Sequence, residues 1–418
     1  MPVLRLAYSM VALLALGLLG ACVGGNGSKA GAGGLTSKPP VLNSMTLTVE
    51  AGPAAGSGGI NHAYVTVKVC EHASTSCANI DHVLVDTGSW GLRLVGSVLA
   101  ANSVALGAET DSSNRNIQEC APFGAGKTWG PVALADVTLA GEIASNLPVQ
   151  IMDDTGASAP LPATCGDASM LINSVAGFDA NGVLGVGVFA HDCGEACVNA
   201  ATPMPVYYGC SSGSAGVCTA ENVVLEAQVT NPVALFAADN NGIIVKLPNL
   251  QNANGDATVQ GTLIFGLGTQ SNNTLPVIGL SVLGTDSNGD FTATYNGQST
   301  VLPSWIDSGA DAYLFDDPSI AVCAGATIFV GYYCPAPAPL SLFTVNTGVG
   351  ANNASSTVQF ALQDPTTFAA GAVALIDLGG GGGAARFVWG MPYFYGRSIY
   401  VGIEGRAAGS YTGPYFAY

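Results

Sequence analysis

From Met45 onward, short apolar runs alternate with clusters of Gly, Asn and Ser, a texture that predicts strands rather than helices. Met45–Val49, Ala63–Val69, Val83–Val85, Leu92–Val95 and Val132–Leu139 are β-branched or alternate apolar with polar positions, as a pleated, half-buried surface requires. Helical periods are scarce. The stretch Asp81–Leu99, for example, is interrupted by Gly88 and Gly91. The expected body is therefore mostly β, and at about 370 residues it exceeds what one hydrophobic core usually serves, so two lobes are expected.

The first residues read differently. One basic residue, Arg5, precedes an apolar run from Met10 to Leu19 and then Leu19-Gly20-Ala21-Cys22. This is the pattern of a secretory signal peptide with a small-residue cleavage site, too short for a membrane span of about 20 residues. A Cys directly after the small residues resembles the lipobox of bacterial lipoproteins. Residues 1–21 are accordingly expected to be a lipoprotein signal peptide and Cys22 the lipid-modified anchor of a protein in the cell envelope, on the outer membrane. Residues 22–44 lack apolar periodicity and consist largely of Gly, Ser, Ala and Lys, the composition of a flexible tether; such a segment reaches roughly 25 Å.

Composition narrows the function classes. The 418 residues carry a net charge of -17 with only 9% charged residues, so binding to nucleic acid or to an anionic membrane face has no electrostatic footing. Setting Cys22 aside leaves an even number of cysteines in an exported chain, which makes disulfides the default. Close spacing suggests Cys70 with Cys77, Cys193 with Cys197, Cys210 with Cys218 and Cys323 with Cys334, leaving Cys120 and Cys165 for each other. The rival is a zinc site from His191, Cys193, Cys197 and Cys210, which export and the lack of a paired C-x-x-C arrangement disfavour.

An internal repeat carries the candidate chemistry. Val83-Leu84-Val85-Asp86-Thr87-Gly88-Ser89 recurs as Ser304-Trp305-Ile306-Asp307-Ser308-Gly309-Ala310. Each copy is followed by two apolar residues and a Gly: Val183-Leu184-Gly185 after the first, Val388-Trp389-Gly390 after the second. A lone Asp-Thr-Gly is an ordinary turn, and Asp154-Thr155-Gly156, which follows the charged Asp153, reads as one. Two copies behind apolar strands, each trailed by the same second signal, form a pattern of a different order.

With these motifs the chain resembles the pepsin-like aspartic peptidases from about residue 45 to its end. Asn181–Gly187 resembles that family's Asp-Gly-Ile-Leu-Gly-Leu-Gly segment, Val388–Phe394 its Leu-Gly-Asp-x-Phe segment, and Gly261–Gly266 its Gly-x-x-x-Phe-Gly strand. Phe123–Gly130 resembles the hairpin tip that closes over the cleft, with Phe123, Gly124, Gly126 and Trp129 as flap residues and the glycines expected to supply positive φ angles and mobility. The resemblance implies a mostly β, bilobal double β-barrel, lobes 45–230 and 231–418, with an active-site cleft between them. It also implies a monomer that needs neither cofactor nor metal and acts on a peptide or protein substrate. Asp86 and Asp307 would be catalytic, the hydroxyls of Thr87 and Ser308 would lock the two loops together, and Gly88, Ser89 and Gly309 would complete the support.

The chemistry explains the duplication. Peptide hydrolysis without a covalent intermediate needs a base to activate water and an acid to polarise the carbonyl. Two carboxylates within hydrogen-bonding reach share one proton and offer both functions, with apparent pKa values that belong to the pair. The chain departs from the family pattern at three places: Phe123 replaces the flap Tyr, Arg93 stands where a Trp is usual, and Ala310 replaces a hydroxyl residue, which predicts one missing hydrogen bond to Asp307. A catalytically silent binding module on the same scaffold, as in plant inhibitors of glycoside hydrolases, is the alternative. Other motifs weigh little: Gly209-Cys210-Ser211-Ser212-Gly213 lacks the helix of a nucleophile elbow, Asp286–Asp290 reads as a hairpin turn rather than a calcium loop, Gly379–Gly383 lacks a phosphate-binding context, and His62, His72 and His82 show no metal spacing.

Overall fold

A computed structural model describes residues 42–54, 58–211, 216–325, 328–382 and 385–418. The segments read as a signal peptide and a tether, Cys22 included, lie outside the described residues up to residue 41, as do Ser212, Gly213 and Gly383. The body is mostly β, as the apolar alternation predicts. Each of the five strands read from the sequence forms, usually longer than its apolar run: Ser44–Val49, Ala63–Glu71, Cys77–Asp86, Trp90–Val95 and Gly126–Leu139. The α-helices are short, Gly96–Ala101 and Val175–Phe178. The first strand is held at its start by Asn43, whose side chain donates to Phe265 O at 2.8 Å and whose carbonyl accepts from Phe265 N at 2.7 Å.

Six strands join head and tail of the body in one antiparallel run, ordered Ser44–Val49, Val259–Phe265, Gly242–Lys246, Ser398–Gly402, Tyr415–Ala417 and Val282–Gly284. On the Ser44–Val49 side the sheet continues through Ala63–Glu71 into the strands that carry the first Asp motif. A separate seven-stranded sheet carries the second. Its core is aromatic: Phe315, Phe360, Phe387 and Trp389 are all buried, with the Phe315 and Phe387 rings stacked at 5.0 Å.

The two copies of the motif sit in the same strand arrangement. Cys77–Asp86 runs parallel to Gly182–Val186, with Asp86 opposite Gly185, and Gly182–Val186 is antiparallel to Trp90–Val95. Likewise Val301–Ile306 runs parallel to Phe387–Trp389, with Ile306 opposite Trp389, and Phe387–Trp389 is antiparallel to Tyr313–Phe315. Thus the apolar-apolar-Gly signal is the strand wedged between the chain entering and the chain leaving each Asp loop. Buried on both faces, it reads as a continuous apolar run. Its glycine is a matter of space, since a Cβ at Gly185 would lie 2.6 Å from Trp90 N and one at Gly390 would lie 2.1 Å from Ala312 O.

All five cysteine pairs expected from spacing are present: Cys70–Cys77, Cys120–Cys165, Cys193–Cys197, Cys210–Cys218 and Cys323–Cys334. Three of the four residues of the rival zinc site are therefore consumed as disulfides, and His191 faces the Thr230 hydroxyl at 3.1 Å. Five disulfides mark a chain that folds in an oxidising compartment, hence an exported one. Asp154-Thr155-Gly156 is a turn, closed by Asp153, which accepts from the backbone N–H groups of Thr155, Ala157 and Ser158. Asp286–Asp290 is also a turn, in which Asp286 accepts from Asn288 N and Asp290 N.

Candidate active site

The duplicated strands bring Asp86 and Asp307 face to face. The loops interlock through two hydroxyls used reciprocally. Thr87 Oγ1 donates to Ile306 O at 2.8 Å and accepts from Ser308 N at 2.9 Å. Ser308 Oγ donates to Val85 O at 2.7 Å and accepts from Thr87 N at 3.1 Å. Thr87 and Ser308 are fully buried, so each hydrogen bond fixes one loop against the other with no water to compete. The glycines allow the approach: a Cβ on Gly88 would meet Asp307 Cγ at 2.5 Å, and one on Gly309 would meet Asp86 Cγ at 2.8 Å.

Each carboxylate is oriented through both of its oxygens. Asp86 Oδ1 accepts from Gly88 N at 2.8 Å and Oδ2 from Ser89 Oγ at 2.6 Å. Asp307 Oδ1 accepts from Gly309 N at 2.8 Å and from Ala310 N at 3.1 Å, and Oδ2 from the Trp305 indole at 3.1 Å. The hydrogen bond expected to be missing at Ala310 is thus supplied by another residue. Burial, and then the neighbouring Asp86 carboxyl, push Asp307 up to about 8, so the site retains a proton well above the ordinary carboxylate range. A cavity of about 420 Å³ opens beside the pair, lined by Thr87, Gly88, Trp90, Val188, Trp305 and Arg386 among others.

The hairpin read as a flap forms from Asn116–Phe123 and Gly126–Leu139, with Phe123 paired to Gly126 across a two-residue tip. One expectation about it is overturned: neither Gly124 nor Gly126 has a positive φ. Gly126 is needed for space instead, because a Cβ there would lie 2.4 Å from Met170 O. Trp129 is buried below the tip, where its indole donates to Ala159 O at 2.9 Å and its ring packs edge-on against Tyr208. Phe123 packs edge-on against Phe178, and the Arg93 guanidinium lies 5.5 Å from the centre of its ring.

The two departures at Arg93 and Phe123 are therefore one contact, a cation over an aromatic face. Arg93 is buried in an apolar strand because two carboxylates meet it there: Glu119, on the flap strand, is hydrogen-bonded to it, and Asp192 lies at 3.3 Å. Its Nη1 also donates to Trp90 O at 2.8 Å. Burial, then Glu119, raises Asp192 well above the usual carboxylate range, although the Tyr207 hydroxyl donates to it.

Sequence reading missed Trp305 and the Arg93 cluster. A signal for the first exists: residues two apart on a strand share a face, so Trp305 had to point to the same side as Asp307. The carboxylates around Arg93 come from positions far along the chain and leave no local signal.

No curated protein matches the chain in sequence. Among solved structures, the crystal structure of an aspartic proteinase from Irpex lacteus is similar at a TM-score of 0.48 and 16% identity, with 90% of this chain and 96% of that chain covered. A family profile described as protein of unknown function (DUF3443) matches residues 39–418, and the chain belongs to that family.

Proposed function

We propose that this DUF3443 protein is an aspartic endopeptidase of the cell envelope, anchored by lipid on Cys22, whose lobes 45–230 and 231–418 each supply one carboxyl of the dyad. One observation carries the reading: two aspartates on interlocked loops, each oriented at both oxygens, with Asp307 raised to about 8 beside Asp86. Such a pair holds one proton. The ionised member takes a proton from water as its oxygen attacks the scissile carbonyl carbon, and the protonated member gives its proton to the carbonyl oxygen. Collapse of the tetrahedral intermediate breaks the C–N bond, with a proton passing to the leaving nitrogen. Thr87, Gly88, Ser308 and Gly309 hold the geometry, and Ser89 fixes Asp86. The flap tip at Phe123 closes on the peptide and excludes water.

The raised Asp307 supports a shared proton that persists through neutral pH, so hydrolysis is expected from acidic pH up to near 8. The test is incubation of the purified protein with denatured protein across that range, with and without a statine-type inhibitor. Fragments that disappear with inhibitor support the reading; intact substrate at every pH leaves a binding module. The anchor has its own test: Cys22→Ala should leave the protein unprocessed or soluble, and normal processing with retention on membranes would overturn it.

A further inference from the structure

We infer that Trp305 is a positioning residue for Asp307, its indole N–H taking the place that a hydroxyl occupies at Asp86. The inference rests on the proposed dyad and goes beyond it in assigning a residue outside the motif. In the first copy the second carboxylate oxygen is held by Ser89, three residues after the aspartate, at 2.6 Å. The equivalent residue of the second copy is Ala310, which has no side-chain donor. The donor comes instead from two residues before the aspartate, Trp305 Nε1 to Asp307 Oδ2 at 3.1 Å, where the first copy has Leu84. An indole is a donor only, so it favours the ionised form of the oxygen it faces.

The indole also forms a wall of the cavity beside the dyad, and its face carries the Arg386 guanidinium 5.8 Å from the ring centre. A peptide entering that cavity would touch the group that orients Asp307. The charged groups facing this arrangement are Asp86 from the opposite loop, Arg386 over the indole and Asp290 across the cavity; burial and Asp286 push Asp290 up to about 6.

The experiment has two arms on the full chain. In the first, Trp305→Phe keeps the ring and removes the donor. Losing a hydrogen bond to a charged group corresponds to about one pH unit, so the alkaline limb of the rate profile should move up by about one unit. Adding Ala310→Ser should return the limb, because a hydroxyl three residues after Asp86 already reaches that carboxylate. A variant that is merely slower, with the limb unmoved, overturns the inference. In the second arm, the Trp305 indole ¹H–¹⁵N resonance, assigned by its loss in Trp305→Phe, is followed with pH. It should titrate in the parent and be flat in Asp307→Asn; a resonance flat in both, or one titrating alike in both through Asp290, overturns the inference. This arm needs no hydrolysis, so a parent inert to every substrate would sink the proposed function while the resonance still decides the role of Trp305.

Discussion

Replacing Arg93 by Met should be among the most destabilising single changes in the body. The side chains of Arg93, Glu119 and Asp192 are 3%, 0% and 7% exposed, so the change leaves two carboxyls in the interior without their cation. Breaking a buried ion pair from one side costs about 3–5 kcal/mol, while the Met stem preserves most of the packing. The deficit should depend on pH with a defined sign. Asp192 is already raised above its unfolded value by burial and by Glu119, and losing the cation raises it further. A carboxyl raised in the folded state contributes stability at low pH that is lost as pH climbs from its unfolded pKa through its folded one. The part of the Arg93→Met deficit that Asp192 adds is therefore smallest at low pH, where both proteins keep its proton, and grows as pH climbs through its folded pKa in the parent, above which only the variant still carries it. Urea unfolding followed by tryptophan fluorescence at pH 4, 7 and 9 reads both effects. Adding Glu119→Gln should recover at least half of the loss at pH 7, since the uncompensated charge is what costs most. A loss below about 1 kcal/mol at pH 7, or one that does not change with pH, would refute the reasoning.

Asp307→Asn should raise stability at pH 7 while removing activity: a carboxyl lifted to about 8 costs folding free energy progressively as pH rises from about 4, and the amide does not titrate. Melting temperatures across that range should fall in the parent and stay flatter in the variant. Gly88→Ala places a methyl against Asp307 Cγ and should lower turnover by about 100-fold or more through misplacement of the dyad, read by steady-state kinetics beside a melting curve. Alkylation under denaturing, non-reducing conditions should label none of the ten cysteines paired in the body, and mass spectrometry would expose any that are free.

Much of this architecture was legible because its determinants are local. Val83–Val85 and Val183–Leu184 are apolar at successive positions because strands in a parallel pair are buried on both faces, and Gly185 and Gly390 mark the two places where a neighbouring backbone leaves no room for a Cβ. Four of the five disulfides close short loops, so spacing alone suggested them, and the fifth followed from the two cysteines that remained. What was not legible depends on partners distant in sequence. Arg93 read only as a departure where a Trp is usual, and the buried carboxylates that explain it, Glu119 and Asp192, lie far along the chain. Ala310 looked like a lost hydrogen bond because the substitute donor lies on the other side of Asp307 in the sequence. The flap glycines were assigned a positive φ from their type, whereas Gly126 is required by the closeness of Met170.

The central claim is that Asp86 and Asp307 act as one proton-sharing unit, and a single measurement bears on it most directly: the rate of peptide-bond hydrolysis by the parent, Asp86→Asn and Asp307→Asn proteins, each shown folded by its melting curve. An amide can neither accept the proton of water nor share one with its neighbour, so each variant should lose essentially all activity and the double variant should lose no more than either. A single variant that stays folded and keeps most of the parent rate would contradict the account.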